Sequence, residues 1–325
     1  MSMQKYIVKR VVQIFLTLII IMTIMFILFR MMPGDPTAFM LDTRMTPEHK
    51  AIIRAQFGLD KPIWYQYLLY LKNFFRGNFG RSFYYARPVY DLVMEKLPAT
   101  LLLWTGSYVI SYSLGITLGK IIAWRRGGKL EFGSTLFGLF FYCMPIFWVG
   151  LIMLWIFSYK FGLFPLGGLK GPDVWSDPTS SIWLKALDVL HHVALPLSVL
   201  TLAFFAGSML VMRTSMLETL REDYIMTARA KGLPEKTIRD RHAARNAMLP
   251  VVTAFAIAVA GSVGGGVLTE TTFSYPGLGK LIVDATLTFD YPLAQASFLF
   301  IALMVLVANL VADILYAYLD PRIVY

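Results

Sequence analysis

VVQIFLTLIIIMTIMFILF, residues 11–29, is a run of nineteen residues without a charge. An apolar helix of about 20 residues crosses a hydrocarbon core of roughly 30 Å, and a helix satisfies its own backbone polar groups there. Lys5, Lys9 and Arg10 precede the run, while Arg30, Pro33, Gly34, Asp35 and Pro36 close it. A basic start followed by apolar residues resembles a secretory signal. This run is longer than a typical signal's apolar region, however, and no small-x-small cleavage site follows it. The reading is a retained first transmembrane helix.

Working outward from that helix, at about residues 9–30, the same rule gives five further spans: about 99–124, 133–160, 189–213, 249–270 and 295–318. Composition agrees. With 57% hydrophobic residues, 15% charged and a mean hydropathy of +0.60, the chain carries more apolar surface than a soluble protein of 325 residues could hide. The expected fold class is an all-α integral membrane protein with six transmembrane helices. Pro145 and Pro196 fall inside spans and predict kinks, which neighbouring helices can accommodate.

The net charge of +10 raises nucleic acid as a partner, but the basic residues form short tracts between apolar stretches rather than one patch. They mark topology instead. Lys5, Lys9 and Arg10 precede the first span, and Arg125, Arg126 and Lys129 join the second to the third. Arg213, Arg221, Arg229, Lys231, Lys236, Arg239, Arg241 and Arg245 join the fourth to the fifth. If the spans alternate, all three tracts share one side, so both termini are expected in the cytoplasm. The chain then divides into residues 1–30, an external insert at 31–98, and a core at 99–325 containing the basic loop 214–248; further external loops fall near 161–188 and 271–294. Aromatics of the insert, Trp64, Tyr65, Tyr67, Tyr70, Phe74 and Phe75, suit either the headgroup level or a compact helical pair. Cys143, the single cysteine, excludes an intramolecular disulfide and reads as a small packing residue.

The loop between the fourth and fifth spans reads MRTSMLETLREDYIMTARAKGLPEKTIRDRHAARNAMLP, from Met212 to Pro250. Helix formers fill Glu218 to Lys231, Gly232 supplies a left-handed stop, and Pro234 suits the first turn of a second helix through Asn246. Ala228 and Ala230 are small, so another surface can approach the backbone just before the turn.

DYIMTARAKGL, from Asp223, followed by RHAARNAMLPVVT, from Arg241, resembles the coupling loop of ABC importer permeases of the oligopeptide/dipeptide/nickel type. Other pieces match in order: MMPGDP from Met31, FGLDKPIWYQYLLYL from Phe57, GNFGRSF from Gly77, VYDLVMEKLPATLLL from Val89, TFSYPGLGKLIVDA from Thr272 and YLDPRI from Tyr318. The resemblance implies a type I ABC importer permease fold in a prokaryotic cell membrane. It implies as partners a second homologous permease, two ABC ATPase subunits and an extracytoplasmic substrate-binding protein, and it implies no nucleic acid. No cofactor is expected on this chain, ATP and magnesium belonging to the ATPases. In that family the loop's short helix enters a groove of the ATPase. Carried over by position, this assigns Asp223, Tyr224, Thr227, Ala228, Arg229, Ala230, Lys231 and Gly232 to the loop, with Leu249 and Pro250 closing the motif. Met226 stands where many ABC importers carry a glutamate, and Gly232 lies further from Leu249 than in sugar importers; both departures are usual for the peptide/nickel branch. Di- or oligopeptides are the expected cargo, while nickel chelates, glutathione and oligosaccharides are carried by similar permeases.

Other candidates weigh less. GLGK, from Gly277, lacks the upstream glycine and the Ser or Thr after the lysine that a phosphate loop needs, since Ser274 and Leu281 hold those positions. His191 and His192 are adjacent, so on a helix they diverge rather than chelate. Glu270 and Asp313, the latter one turn beyond Asn309, are ionisable groups within spans: Asp313 suits pairing with a basic loop residue, and Glu270 the neighbourhood of an external gate. Ala254, Ala258, Ser262 and Gly266 recur every four residues, with Gly261 and Gly265 beside them, a small face that serves bundle packing or lines a pore or partner contact. No Ser, His and carboxylate set converges as an enzyme would need. A secondary transporter working alone would show midplane charges and no docking loop.

Overall fold

A computed structural model describes residues 3–31, 61–262 and 266–319, with the side chains of all of these except 3–7, 260 and 311–319. Gly265, the side chain of Asp313, the first part of the insert and the sequence pieces beginning at Met31, Phe57 and Tyr318 therefore lie wholly or partly outside the described residues.

Helix α1, Met3–Met31, buries one narrow stripe, Leu18, Met22 and Phe26, spaced by four residues, and leaves Val12, Leu16, Ile20 and Ile24 exposed. Such a pattern fits a helix with lipid on most sides. From the insert, α2, Ile63–Phe75, lays its aromatics on α1. Tyr67 meets Phe26 edge-to-face with ring centres 5.3 Å apart, Tyr70 lies tilted against it at 5.7 Å, and the Tyr67 hydroxyl bonds Thr23 Oγ1 at 2.7 Å. Trp64, Tyr65 and Phe75 stay exposed, and of these Phe75 still meets Phe15 of α1, ring centres 6.0 Å apart.

The expected span at 99–124 belongs to a longer helix, α3, Val89–Trp124. The expected span at 133–160 is broken: α4, Lys129–Cys143, meets α5, Ile146–Met153, which continues as a π-helical turn to Lys160, at a bend of 101°. Pro145 causes the break. It has no N–H to offer and pushes Met144 into extended backbone, φ −80°, ψ 141°. The bent pair still crosses the bundle, because Glu131 pairs with Arg213 at its start while Leu163, just past its end, accepts from His191. Helix α6, Ile182–Thr219, contains Pro196 without interruption.

After α6 come α7, Asp223–Ala230, and α8, Ala244–Gly261, the latter entered directly through Glu235–Thr237 and a π-helical stretch Ile238–Ala243. The second loop helix thus does not end at Asn246; it is the start of the fifth span. That span ends in turn near Gly261, before the expected 270, and Glu270 belongs to a separate helix, α9, Val267–Thr272. Two more follow: α10, Leu278–Leu287, and α11, Tyr291–Leu319. Among the described residues, five helices plus the bent pair α4/α5 are long and apolar enough to cross a membrane.

The bundle has two ends. One carries the start of α4, the end of α6 and α7, and is rich in Arg and Lys; the other carries α2, the start of α3, α9 and α10. We call them the basic end and the insert end. Phe29 near the end of α1 meets Tyr291 at the start of α11, ring centres 6.2 Å apart. Both terminal helices therefore have their outer ends at the basic end. The most extensive helix pairing is α3 with α6. It depends on Gly115 and Gly119, one turn apart: a Cβ on Gly115 would stand 2.8 Å from Met209 N, and one on Gly119 2.5 Å from Met209 O. Lacking side chains, these positions let the two backbones close on each other.

Candidate functional site

The basic loop folds as a helical knob. Ile225 and Ala228, three residues apart on α7, are buried among Ala123 and Trp124 of α3, Met212 and Met216 of α6, and Ile238, Ala243, Ala244 and Ala247 leading into α8. The opposite stripe, Asp223, Met226, Thr227 and Ala230, is exposed, following the three- and four-residue spacing of one helix face. Of the two small residues read from the sequence, Ala228 thus serves contact with the chain's own core, and Ala230 is the one open to another surface.

The knob ends as the sequence predicts. Gly232 has φ +71°, with nothing within 4 Å of the place a Cβ would take, so glycine is needed there for conformation and not for space. Its N–H donates to Arg229 O at 2.9 Å, and the Leu233 N–H donates to Ala228 O at 3.4 Å, the paired bonds of a Schellman cap. Leu233 then packs in the same apolar cluster as Ala228.

Three further contacts tie the knob down. The Asn246 amide donates to the Tyr224 hydroxyl at 2.7 Å, the Arg229 guanidinium lies 5.8 Å from the Trp124 ring centre, and Lys120 pairs with Asp240 at 3.0 Å. Trp124 and Asn246 were not legible as partners of the knob, though Ile225 and Ala228 could have been found from their spacing. Arg229, Lys231 and Gly232 are exposed beside the outer stripe. Leu249 and Pro250 sit apart from it, on the exposed side of α8, whereas Ala243 and Ala247 face α7.

At the insert end, Glu270 is fully buried. Its Oε1 accepts from Thr100 Oγ1 at 3.0 Å and Trp104 Nε1 at 3.2 Å; its Oε2 accepts from the N–H groups of Gly279 at 2.7 Å and Lys280 at 3.3 Å. Lys280 does not neutralise it, since Lys280 Nζ is bonded to Asp284 at 2.7 Å. The GLGK segment is thus the first turn of α10, and its amides hold the protein's own carboxylate in place of a phosphate, favoured by the positive end of the helix dipole. A side chain on Gly277 would overlap that carboxylate and lie 2.6 Å from Thr100 Oγ1. The small face of the fifth span ends here too: Ser262 meets Thr105 at 3.1 Å, and Gly266 lies against the Trp104 ring. His191 and His192 bond separately, to Leu163 O and to Asp188, both at an external-loop position of the sequence reading. Among the described residues no three His, Cys, Asp or Glu side chains form a metal-holding group.

Two family models match the chain. That described as "Binding-protein-dependent transport system inner membrane component" covers residues 115–325, and its N-terminal companion covers residues 3–104. The chain is 38% identical over 324 residues to the oligopeptide transport system permease protein AppB of Bacillus subtilis, covering 99% of this chain and 100% of that protein. It is 37% identical over 335 residues to the dipeptide transport system permease protein DppB of Escherichia coli K12, covering 99% of each. Against the di/tripeptide transport system permease protein DppB of Pseudomonas aeruginosa the identity is 38% over 309 residues, 92% of each chain.

Proposed function

Because this chain belongs to the binding-protein-dependent transport system inner membrane component family, and is a multi-pass permease subunit of an ABC importer rather than an enzyme, we propose that it forms part of the translocation path of a peptide importer and takes its drive through α7. The full-length likeness to permeases named for oligopeptides and dipeptides carries the choice of cargo. The exposed stripe Asp223, Met226, Thr227 and Ala230, backed by the buried Ile225 and Ala228, supports the drive. A short helix that is rigid on its inner side and open on its outer side can receive a push and pass it into α3, α6 and α8 without deforming.

In this reading the basic end faces the cytoplasm, as the clustering of Arg and Lys there favours. Two ABC ATPase subunits, loaded with ATP and magnesium, engage α7 on this chain and on a second, homologous permease. An extracytoplasmic binding protein delivers the peptide to the insert end. Alternating access follows if nucleotide and peptide stabilise different arrangements of the helices.

Gentle extraction of the tagged chain from its native membrane tests this. A second permease and ATPase subunits should co-purify, with ATP hydrolysis raised by the peptide-loaded binding protein. A homo-oligomer without ATPases that transports after reconstitution would overturn the reading, and stimulation by a nickel chelate or an oligosaccharide in place of peptides would overturn the cargo alone.

A further inference from the structure

The same helix, α3, is gripped at both ends. At the basic end its Ala123 and Trp124 form part of the pocket that holds α7, and Lys120 pairs with Asp240 on the way into α8. Twenty residues earlier, about 30 Å along a helix axis, Thr100 and Trp104 hold Glu270. That carboxylate also takes two amides of α10. Around it, the Leu278 N–H donates to Thr100 Oγ1 at 2.8 Å, the Tyr275 hydroxyl donates to Ala99 O at 2.9 Å, and the Tyr275 N–H donates to Glu270 O at 2.7 Å. Leu278, Leu281 and Ala285 of α10 pack against Val89, Leu92 and Val93 of α3. One buried side chain therefore joins three elements, α3, α9 and α10, with all its donors drawn from the other two helices.

We propose that Glu270 is a positioning residue that makes the α9–α10 cap ride on α3 as one body, so that a displacement of α3 imposed beside Trp124 reaches the rim at the insert end. A loosely packed cap would absorb such a displacement. A buried carboxylate with four donors resists it, because separating the parts leaves a charge and several N–H or O–H groups unpaired. The proposal rests on α7 being the element that receives the drive, but its own measurement does not.

The test uses the complete importer reconstituted in liposomes. Nitroxide labels go on Leu114→Cys in α3 and Leu287→Cys in α10, both exposed in this chain, with Cys143→Ser in the background. The label distance is read without nucleotide and with ATP and vanadate. A single unchanged distance is expected in the unmodified Glu270 protein; a distance that shifts between the two states would overturn the proposal. With Glu270→Gln, the distance should broaden in the trapped state and peptide uptake per ATP hydrolysed should fall about tenfold, an ordinary size for coupling between sites, with basal ATP hydrolysis retained. Uptake per ATP equal to the parent would overturn it as well. Should Glu270→Gln fail to fold, Thr100→Val removes one of the four donors to Glu270 together with the acceptor of the Leu278 N–H and should lower uptake per ATP, with Thr100→Ser at the parent level; a Thr100→Val protein coupled like the parent would overturn the proposal. Loss of ATPase docking on altering Gly232 tests the drive separately, so the two readings fail independently.

Discussion

Asn246 donates from its side-chain amide to the hydroxyl of Tyr224 at 2.7 Å, joining α7 to the start of the fifth span across 22 residues of sequence. The bond is at the surface, so its removal should be felt locally. Tyr224→Phe is expected to weaken the attachment of α7 by about 0.5–1.5 kcal/mol. Hydrogen exchange should quicken in residues 223–231 and remain as before in α3 and α6. Faster exchange throughout the bundle would contradict this local role.

Gly232 offers a cleaner perturbation, since its site has room for a side chain but a backbone that disfavours one. Gly232→Ala should cost about 1 kcal/mol, within the 1–2 kcal/mol typical of an L-residue held in the left-handed region. Gly232→Asn should cost less, and a β-branched Gly232→Val more. Recovery of ATPase subunits with the tagged permease should follow the same order. Equal recovery for all three would show that the turn does not set docking.

The two alanines of α7 make a matched pair. Ala228→Leu must fit extra methylenes into the buried pocket with Trp124 and Met216, and should destabilise the permease by about 1–3 kcal/mol. Ala230→Glu adds charge on the exposed stripe and should change thermal stability by less than about 0.5 kcal/mol, while abolishing ATPase recovery. Stability and docking are measured on the same preparations by thermal scanning and co-purification. If both variants lose stability alike, the division of α7 into inner and outer faces is wrong.

Closest approach of α3 and α6 predicts the most damaging change. A Cβ at Gly119 meets the backbone oxygen of Met209, which no rotamer change can relieve. Gly119→Val should force the helices apart and sharply reduce the monodisperse fraction after detergent extraction, by more than any α7 variant. A Gly119→Val protein as stable as the parent would show that this pairing adapts.

Much of this architecture is legible in the sequence. Six apolar runs, the basic tracts and the glycine turn at 232 each rest on local rules, and local rules survive folding. Pro145 also signalled a departure from straightness, but its size depends on what the freed turn packs against, so a kink became a bend of 101°. The pair Gly115 and Gly119 has the spacing of a close helix contact and could have been found; the reading fell instead on the small face of the fifth span, which also proved to meet α3. Glu270 was legible as unusual but not as a joint. Its partners Thr100 and Trp104 lie 170 and 166 residues away, and the amides that complete its shell belong to a segment whose letters resemble a phosphate loop.

Helix α3 has 36 residues, so it is about 54 Å long and exceeds a hydrocarbon core of roughly 30 Å by some 24 Å. Pro98 lies within it without ending it, so α3 is one continuous helical element. Pivoting about one tip through about 10°, it carries the other tip by roughly 9 Å, close to the width of a helix. On the proposed drive through α7, a small rotation at the basic end would displace the insert end by about the width of a helix.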